Sequence, residues 1–168
     1  MAGTQTPLLT PFASLGHNGT MTDPHSASST PSSEPSLARV TWQTLPHAPE
    51  PGTLLGQVED VADGQVILRE VFAASDSARK HPFKVLLLRS GSEIKAYANR
   101  CAHFGVPLAA RQEHLKFQPH TSISCNVHYA RYRWSDGVCE LGDCVGEALI
   151  TIPVQVDAQG HIRIAEAA

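Results

Sequence analysis

Asn99-Arg-Cys101-Ala-His103-Phe-Gly105-Val-Pro107-Leu108, followed further along by Cys125-Asn-Val-His128-Tyr-Ala-Arg-Tyr132, is the part of this 168-residue chain from which the rest is read. Each box carries one cysteine and one histidine, two or three residues apart. A cysteine and a histidine on a tight turn reach two neighbouring metals at once, so two such turns suit a binuclear iron–sulfur centre held by sulfur at one iron and nitrogen at the other. Gly105 lets the backbone come close to sulfide, and Pro107 keeps the loop from becoming helix. The competing reading is a mononuclear Cys2His2 zinc site. Zinc fingers pair like ligands locally, whereas each box here mixes the two. On either reading the candidate ligands are Cys101, His103, Cys125 and His128.

The two boxes resemble those of the Rieske iron–sulfur family. That resemblance implies one [2Fe–2S] cluster per subunit, with Cys101 and Cys125 on the inner iron and His103 and His128 on the outer one. High-potential members of the family carry an extra cysteine in each box and a bracing disulfide between them; the corresponding positions here are Val106 and Val127, so that disulfide is absent. They also place a serine two residues and a tyrosine four residues after the second histidine, each donating a hydrogen bond to sulfur. Here those positions are Ala130 and Tyr132, so one donor is lost and one is retained, which implies a low-potential, ferredoxin-type centre. The alternative role for Tyr132 is core packing. The family's usual glycine after the second histidine is replaced by Tyr129, which bears on the shape of that loop.

Composition narrows the field. A net charge of -3, with no cluster of Lys or Arg, argues against a nucleic-acid partner. No stretch approaches the roughly 20 apolar residues of a membrane helix, so a soluble protein without a membrane partner is expected. Two of the four cysteines sit in the boxes and must stay reduced to bind iron, which favours a cytoplasmic setting. Cys139 and Cys144 are read as small buried residues or as a pair closing a turn. Leu8-Leu9 is interrupted by Thr10-Pro11 without a basic segment before it, unlike a secretory signal, and no Lys or Arg precedes Arg39.

Taken in order, half of residues 1–36 are Ser, Thr or Pro. Such a segment cannot bury enough surface to offset its ordering entropy, so residues 1–50 are expected to be a disordered tail and linker. His17, His25 and His47 read as solvated. Trp42 is expected to pack on the domain, and Pro46, Pro49 and Pro51 exclude helix beyond it. The globular domain is expected over residues 53–165. Residues 54–58 and 65–72 read as strands around an Asp63-Gly64 turn, and 73–82 as a loop. The apolar run at 83–88 reads as a buried strand that turns at Ser90-Gly91-Ser92 into a strand at 93–98. Residues 121–124, 129–134, 148–156 and 161–164 read as further strands, with the last closing a hairpin through Asp157-Ala-Gln-Gly160. His114 and His120 read as solvent-facing or hydrogen-bonding residues. Many short strands between turns predict an all-β domain of antiparallel sheets, with a cluster-binding subdomain formed by the two loops.

The function this implies is one-electron transfer, not catalysis. Only a short segment follows His128, with no room for the mononuclear-iron domain of a Rieske oxygenase. The expected partners are redox proteins: a reductase as donor and an oxygenase or reductase as acceptor. Such a carrier resembles the ferredoxin component of an oxygenase or the small subunit of an assimilatory nitrite reductase. The alternatives are a zinc-stabilised binding module and a cluster used as a sensor.

Overall fold

In the computed structural model of the chain, residues 40–166 are described; the tail expected over residues 1–36, with His17 and His25, lies outside them. The described residues are all-β, with only short 3-10 turns besides strands. Ten strands run in order: β1 (Leu54–Gln57), β2 (Val66–Val71), β3 (Phe83–Ser90), β4 (Glu93–Ala98), β5 (Lys116–Gln118), β6 (Ser122–Ser124), β7 (Arg131–Arg133), β8 (Cys139–Leu141), β9 (Val154–Val156) and β10 (His161–Ile164). They pair antiparallel in three sheets, ordered β1-β10-β9, β2-β3-β4 and β5-β6-β7-β8. Among the described residues no helix is long and apolar enough to cross a membrane.

The middle sheet explains the unbroken apolar run at Phe83-Lys-Val-Leu-Leu-Leu88. A strand covered on both faces has no solvent side, so its hydrophobic residues need not alternate with polar ones. Leu86 and Leu88 face the core shared with Cys101, Cys125, Ile123 and Tyr132. Val85 and Leu87, one residue out of phase, face a second core with Trp42, Leu55, Ile162 and Ile164. Strand β4 repeats the alternation, with Tyr97 in the first core and Ala96 and Ala98 in the second. Each large aliphatic side chain so buried contributes about 1.5–3 kcal/mol. Trp42 is buried in the 3-10 turn Trp42–Thr44, as its sequence context predicts, and no helix extends past Pro46.

Two expected strands are shorter than their sequence suggests, and two further strands appear. The strand expected over 129–134 is only Arg131–Arg133, because Tyr129 and Ala130 spend their backbone groups closing the second ligand loop. The strand expected over 148–156 is only Val154–Val156. The residues before it divide their bonds between two neighbours: Ile150 O accepts from Ala98 and Ile152 N–H donates to Ala96, while Leu149 N–H donates to Gly137. Lys116–Gln118, to which the sequence assigns no element, is a strand on β6. Cys139–Leu141, likewise assigned no strand from the sequence, pairs with β7. His47 is exposed, as expected, but stacks on His81 with ring centroids 4.5 Å apart.

Candidate metal centre

The first ligand loop leaves the end of β4 and the second leaves the end of β6. Each is closed by the same two backbone bonds. Cys101 N–H donates to Val106 O at 2.7 Å and Gly105 N–H to Cys101 O at 2.8 Å. In the second loop Cys125 N–H donates to Ala130 O at 2.8 Å and Tyr129 N–H to Cys125 O at 3.1 Å. The residue four places after each cysteine is left-handed, with φ of 68° at Gly105 and 60° at Tyr129. Tyr129 therefore adopts the loop shape that a glycine makes easily, and the substitution leaves the turn intact.

These turns bring all four predicted ligands to one end of the molecule in two pairs. The Cys101 and Cys125 thiols are buried neighbours. The His103 and His128 rings meet edge-on further out, with centroids 5.4 Å apart. Among the described residues no three His, Cys, Asp or Glu side chains converge to hold a single ion. A tetrahedral zinc site needs four donors within about 2.3 Å of one point, whereas a bridged pair of irons needs a sulfur pair and a nitrogen pair. The two-and-two arrangement fits the second requirement. His103 strengthens the fit: its Nδ1 is buried without a hydrogen-bond partner, while its Nε2 lies 3.8 Å from the Asp143 carboxylate at the surface. An unpartnered buried imidazole nitrogen is costly unless something ligates it.

Burial pushes the Cys125 thiol up, and the backbone N–H groups of Val127 and His128 oppose that shift. Those two groups favour the thiolate that a metal requires.

Tyr132 ties the sulfur pair to the sheet behind it. Its Oη is 3.0 Å from Cys101 Sγ, accepts from Ala102 N–H at 3.1 Å, and is 3.2 Å from Cys144 Sγ. Burial holds its ionisation far above the ordinary tyrosine range, with the neighbouring Cys101 and Cys144 thiols adding to it. The phenol stays protonated, so its hydroxyl is placed to donate to the Cys101 sulfur once that sulfur is a thiolate. The same side chain is fully buried, as the packing reading expects.

Asn99 is a support that its place in the first box did not reveal. Its buried side chain accepts from Leu108 N–H at 3.0 Å and donates to Ala109 O at 2.7 Å, which locks both ends of the first loop together. Asn126 N–H donates to Leu108 O at 3.0 Å and so links the two loops. His114 and His120 stay outside the ligand group; His120 Nδ1 shares a hydrogen bond with Ser90 Oγ at 2.9 Å, and the Asn126 side chain donates to the His114 carbonyl. The rim around the two imidazoles is apolar: Phe104, Val127 and Tyr129 are exposed, and the Phe104 ring lies 3.8 Å from that of His103.

A family model described as the Rieske [2Fe-2S] domain matches residues 53–155. The terminal oxygenase component of carbazole 1,9a-dioxygenase from a Sphingomonas species is 43% identical over 54 residues, which are 32% of this chain and 14% of that protein. The terminal oxygenase of carbazole 1,9a-dioxygenase from Novosphingobium sp. KA1 superposes with a TM-score of 0.53 at 23% identity, covering 71% of this chain and 31% of that one. The ferredoxin of carbazole 1,9a-dioxygenase from Nocardioides aromaticivorans IC177 superposes with a TM-score of 0.52 at 18% identity, covering 70% of this chain and 100% of that one. The chain thus spans a minor part of the two oxygenases and the whole length of the ferredoxin.

Proposed function

The chain belongs to the Rieske [2Fe–2S] domain family, and from that premise we propose that it carries single electrons between redox proteins and has no catalytic reaction of its own. When bound, the cluster of this family supplies one-electron chemistry. Cys101 and Cys125 would hold one iron, and His103 and His128 the other. The observation that carries this reading is the two-and-two division of donors, with the thiols buried and the imidazoles at the surface. Buried thiols keep solvent from the sulfur end. Surface imidazoles leave a short path to a docked protein, and the apolar rim of Phe104, Val127 and Tyr129 offers that protein a surface to cover.

The donor is a reductase and the acceptor an oxygenase or another reductase. A solved ferredoxin shares this fold over its whole length, in keeping with a carrier role. Residues 53–165 form the carrier domain, with Trp42 packed into its second core. A cytoplasmic setting, where thiols stay reduced, suits a ligand set of this kind. The test is anaerobic purification of the full chain with iron and sulfide supplied. A brown protein with two irons and two acid-labile sulfides per chain, whose visible absorption bleaches with dithionite and returns with a one-electron oxidant, is expected. A colourless protein with one zinc would overturn the reading in favour of a zinc-stabilised module.

A further inference from the structure

Cys139 and Cys144 stand outside the four proposed ligands, and electron transfer makes no direct use of them. Both are buried, at 1% and 3% exposure, yet their sulfurs lie 2.9 Å apart. A disulfide is about 2.05 Å long, so a closing movement of roughly 0.9 Å joins them. The backbone holds them in register for it. Cys139 N–H donates to Glu147 O at 2.7 Å, Gly146 N–H to Cys139 O at 2.9 Å, and Glu147 N–H to Cys144 O at 3.0 Å. One sulfur therefore sits on β8 and the other on the turn that folds back over it. Asp143, Val145 and Gly146 in that turn are exposed, which leaves Cys144 one residue from solvent on either side.

We propose that Cys139 and Cys144 form a redox-modification site, a dithiol that a hydroperoxide oxidises to an intramolecular disulfide and that a small thiol reduces again. One sulfur, as thiolate, attacks the peroxide; the oxygen–oxygen bond breaks, hydroxide leaves and is protonated to water, and a sulfenic acid remains. The second sulfur attacks that sulfenic sulfur; the sulfur–sulfur bond forms, the sulfur–oxygen bond breaks, and a second water leaves. With hydrogen peroxide, two thiols and one peroxide give one disulfide and two waters, the sulfurs losing two electrons. Burial pushes the Cys139 thiol up to about 11, so thiolate is scarce at neutral pH and the reaction is slow and open only to small oxidants.

The pair also reaches the proposed cluster ligands. Cys144 Sγ touches the Tyr132 phenol, whose oxygen lies 3.0 Å from Cys101 Sγ. The Cys144 thiol donates its proton to Cys139 Sγ, so closing the disulfide removes that bond, draws Cys144 towards Cys139 and alters its contact with the phenol. The midpoint potential therefore shifts on closure. That consequence rests on the electron-carrier reading, whereas the disulfide itself does not.

The test uses the cluster-loaded full chain. It is treated with hydrogen peroxide, quenched with catalase, and unfolded in iodoacetamide before peptide mass analysis. The peptide bearing Cys139 and Cys144 is expected to escape alkylation and to be two hydrogens lighter, and dithiothreitol is expected to restore both alkylations. Cys139→Ser and Cys144→Ser should each abolish the two-hydrogen loss; where either variant fails to fold, the unmodified chain alone decides. Alkylation of both residues after peroxide, or a disulfide found only between Cys101 and Cys125, overturns the proposal. Redox titration of the same samples should show a shifted potential after peroxide. An unchanged potential with the disulfide formed overturns the link through Tyr132, and iron missing from the starting protein overturns the carrier reading instead.

Discussion

Gly105 and Tyr129 occupy equivalent positions in the two ligand loops, each four residues after the loop cysteine, each left-handed, and each donating its N–H back to that cysteine's carbonyl. One loop meets the conformation with the residue best suited to it, and the other meets it with a bulky one. A left-handed non-glycine residue costs about 1–2 kcal/mol. Glycine returns roughly half of that through the greater freedom of its unfolded chain.

Gly105→Ala is therefore expected to lower stability by about 1 kcal/mol, or roughly 2–4 °C in Tm. The added methyl meets the Arg100 guanidinium, a flexible group that can move aside, so backbone conformation dominates the cost. Tyr129→Gly is expected to change stability by less than about 0.5 kcal/mol. Relief of the backbone is offset by chain entropy and by loss of the Lys116 ammonium over the ring, 5.4 Å from its centroid. Thermal melts of the two variants beside the unmodified chain check this, and a large loss on Tyr129→Gly would show that the ring does more than tolerate its position.

Tyr132→Phe is expected to lower the midpoint potential. The phenol oxygen lies 3.0 Å from Cys101 Sγ, placed to donate once that sulfur is a thiolate, and a donor to sulfur favours the more negative, reduced state. A bond stronger by about 1.4 kcal/mol in that state corresponds to about 60 mV for a one-electron couple. Spectroscopic redox titration reads the shift, and no downward movement would reduce Tyr132 to a packing residue.

Asn99→Ala is expected to cost about 2–4 kcal/mol, since it leaves the Leu108 N–H and the Ala109 carbonyl without their buried partner. Iron content should fall with stability, because the same side chain locks the first loop. Denaturant unfolding and iron analysis on one preparation test the coupling; lost stability with full iron would separate the two roles.

Acid should loosen the turn between β7 and β8. The Arg133 guanidinium beside Asp136, helped by the Val138 N–H, holds its carboxyl below the usual carboxylate range. A carboxyl whose folded value is depressed contributes stability above its unfolded value near 4, and loses that contribution as pH falls through the folded value. The pair is nearly half exposed, so its contribution is small, under about 1 kcal/mol. In Asp136→Asn the amide resonance of Val138 should lose its acid-dependent shift. If that shift persisted, another group would be responsible for it.

The all-β class, the middle sheet and the four candidate ligands were legible in the chain alone, because each rests on a local pattern: apolar runs between turn residues, and a cysteine and histidine close together in each box. Lys116–Gln118 and Cys139–Leu141 left too little periodicity to read, since three-residue strands are defined by the neighbour they pair with. Folding was needed to show that the candidate ligands stand as a thiol pair and an imidazole pair, that His103 Nδ1 is buried without a partner, and that Asn99 locks the first loop. It alone brought Cys139, Cys144, Tyr132 and Cys101 into one line of contacts. Those relationships join residues distant in the chain, and contact between them arises only when the sheets pack.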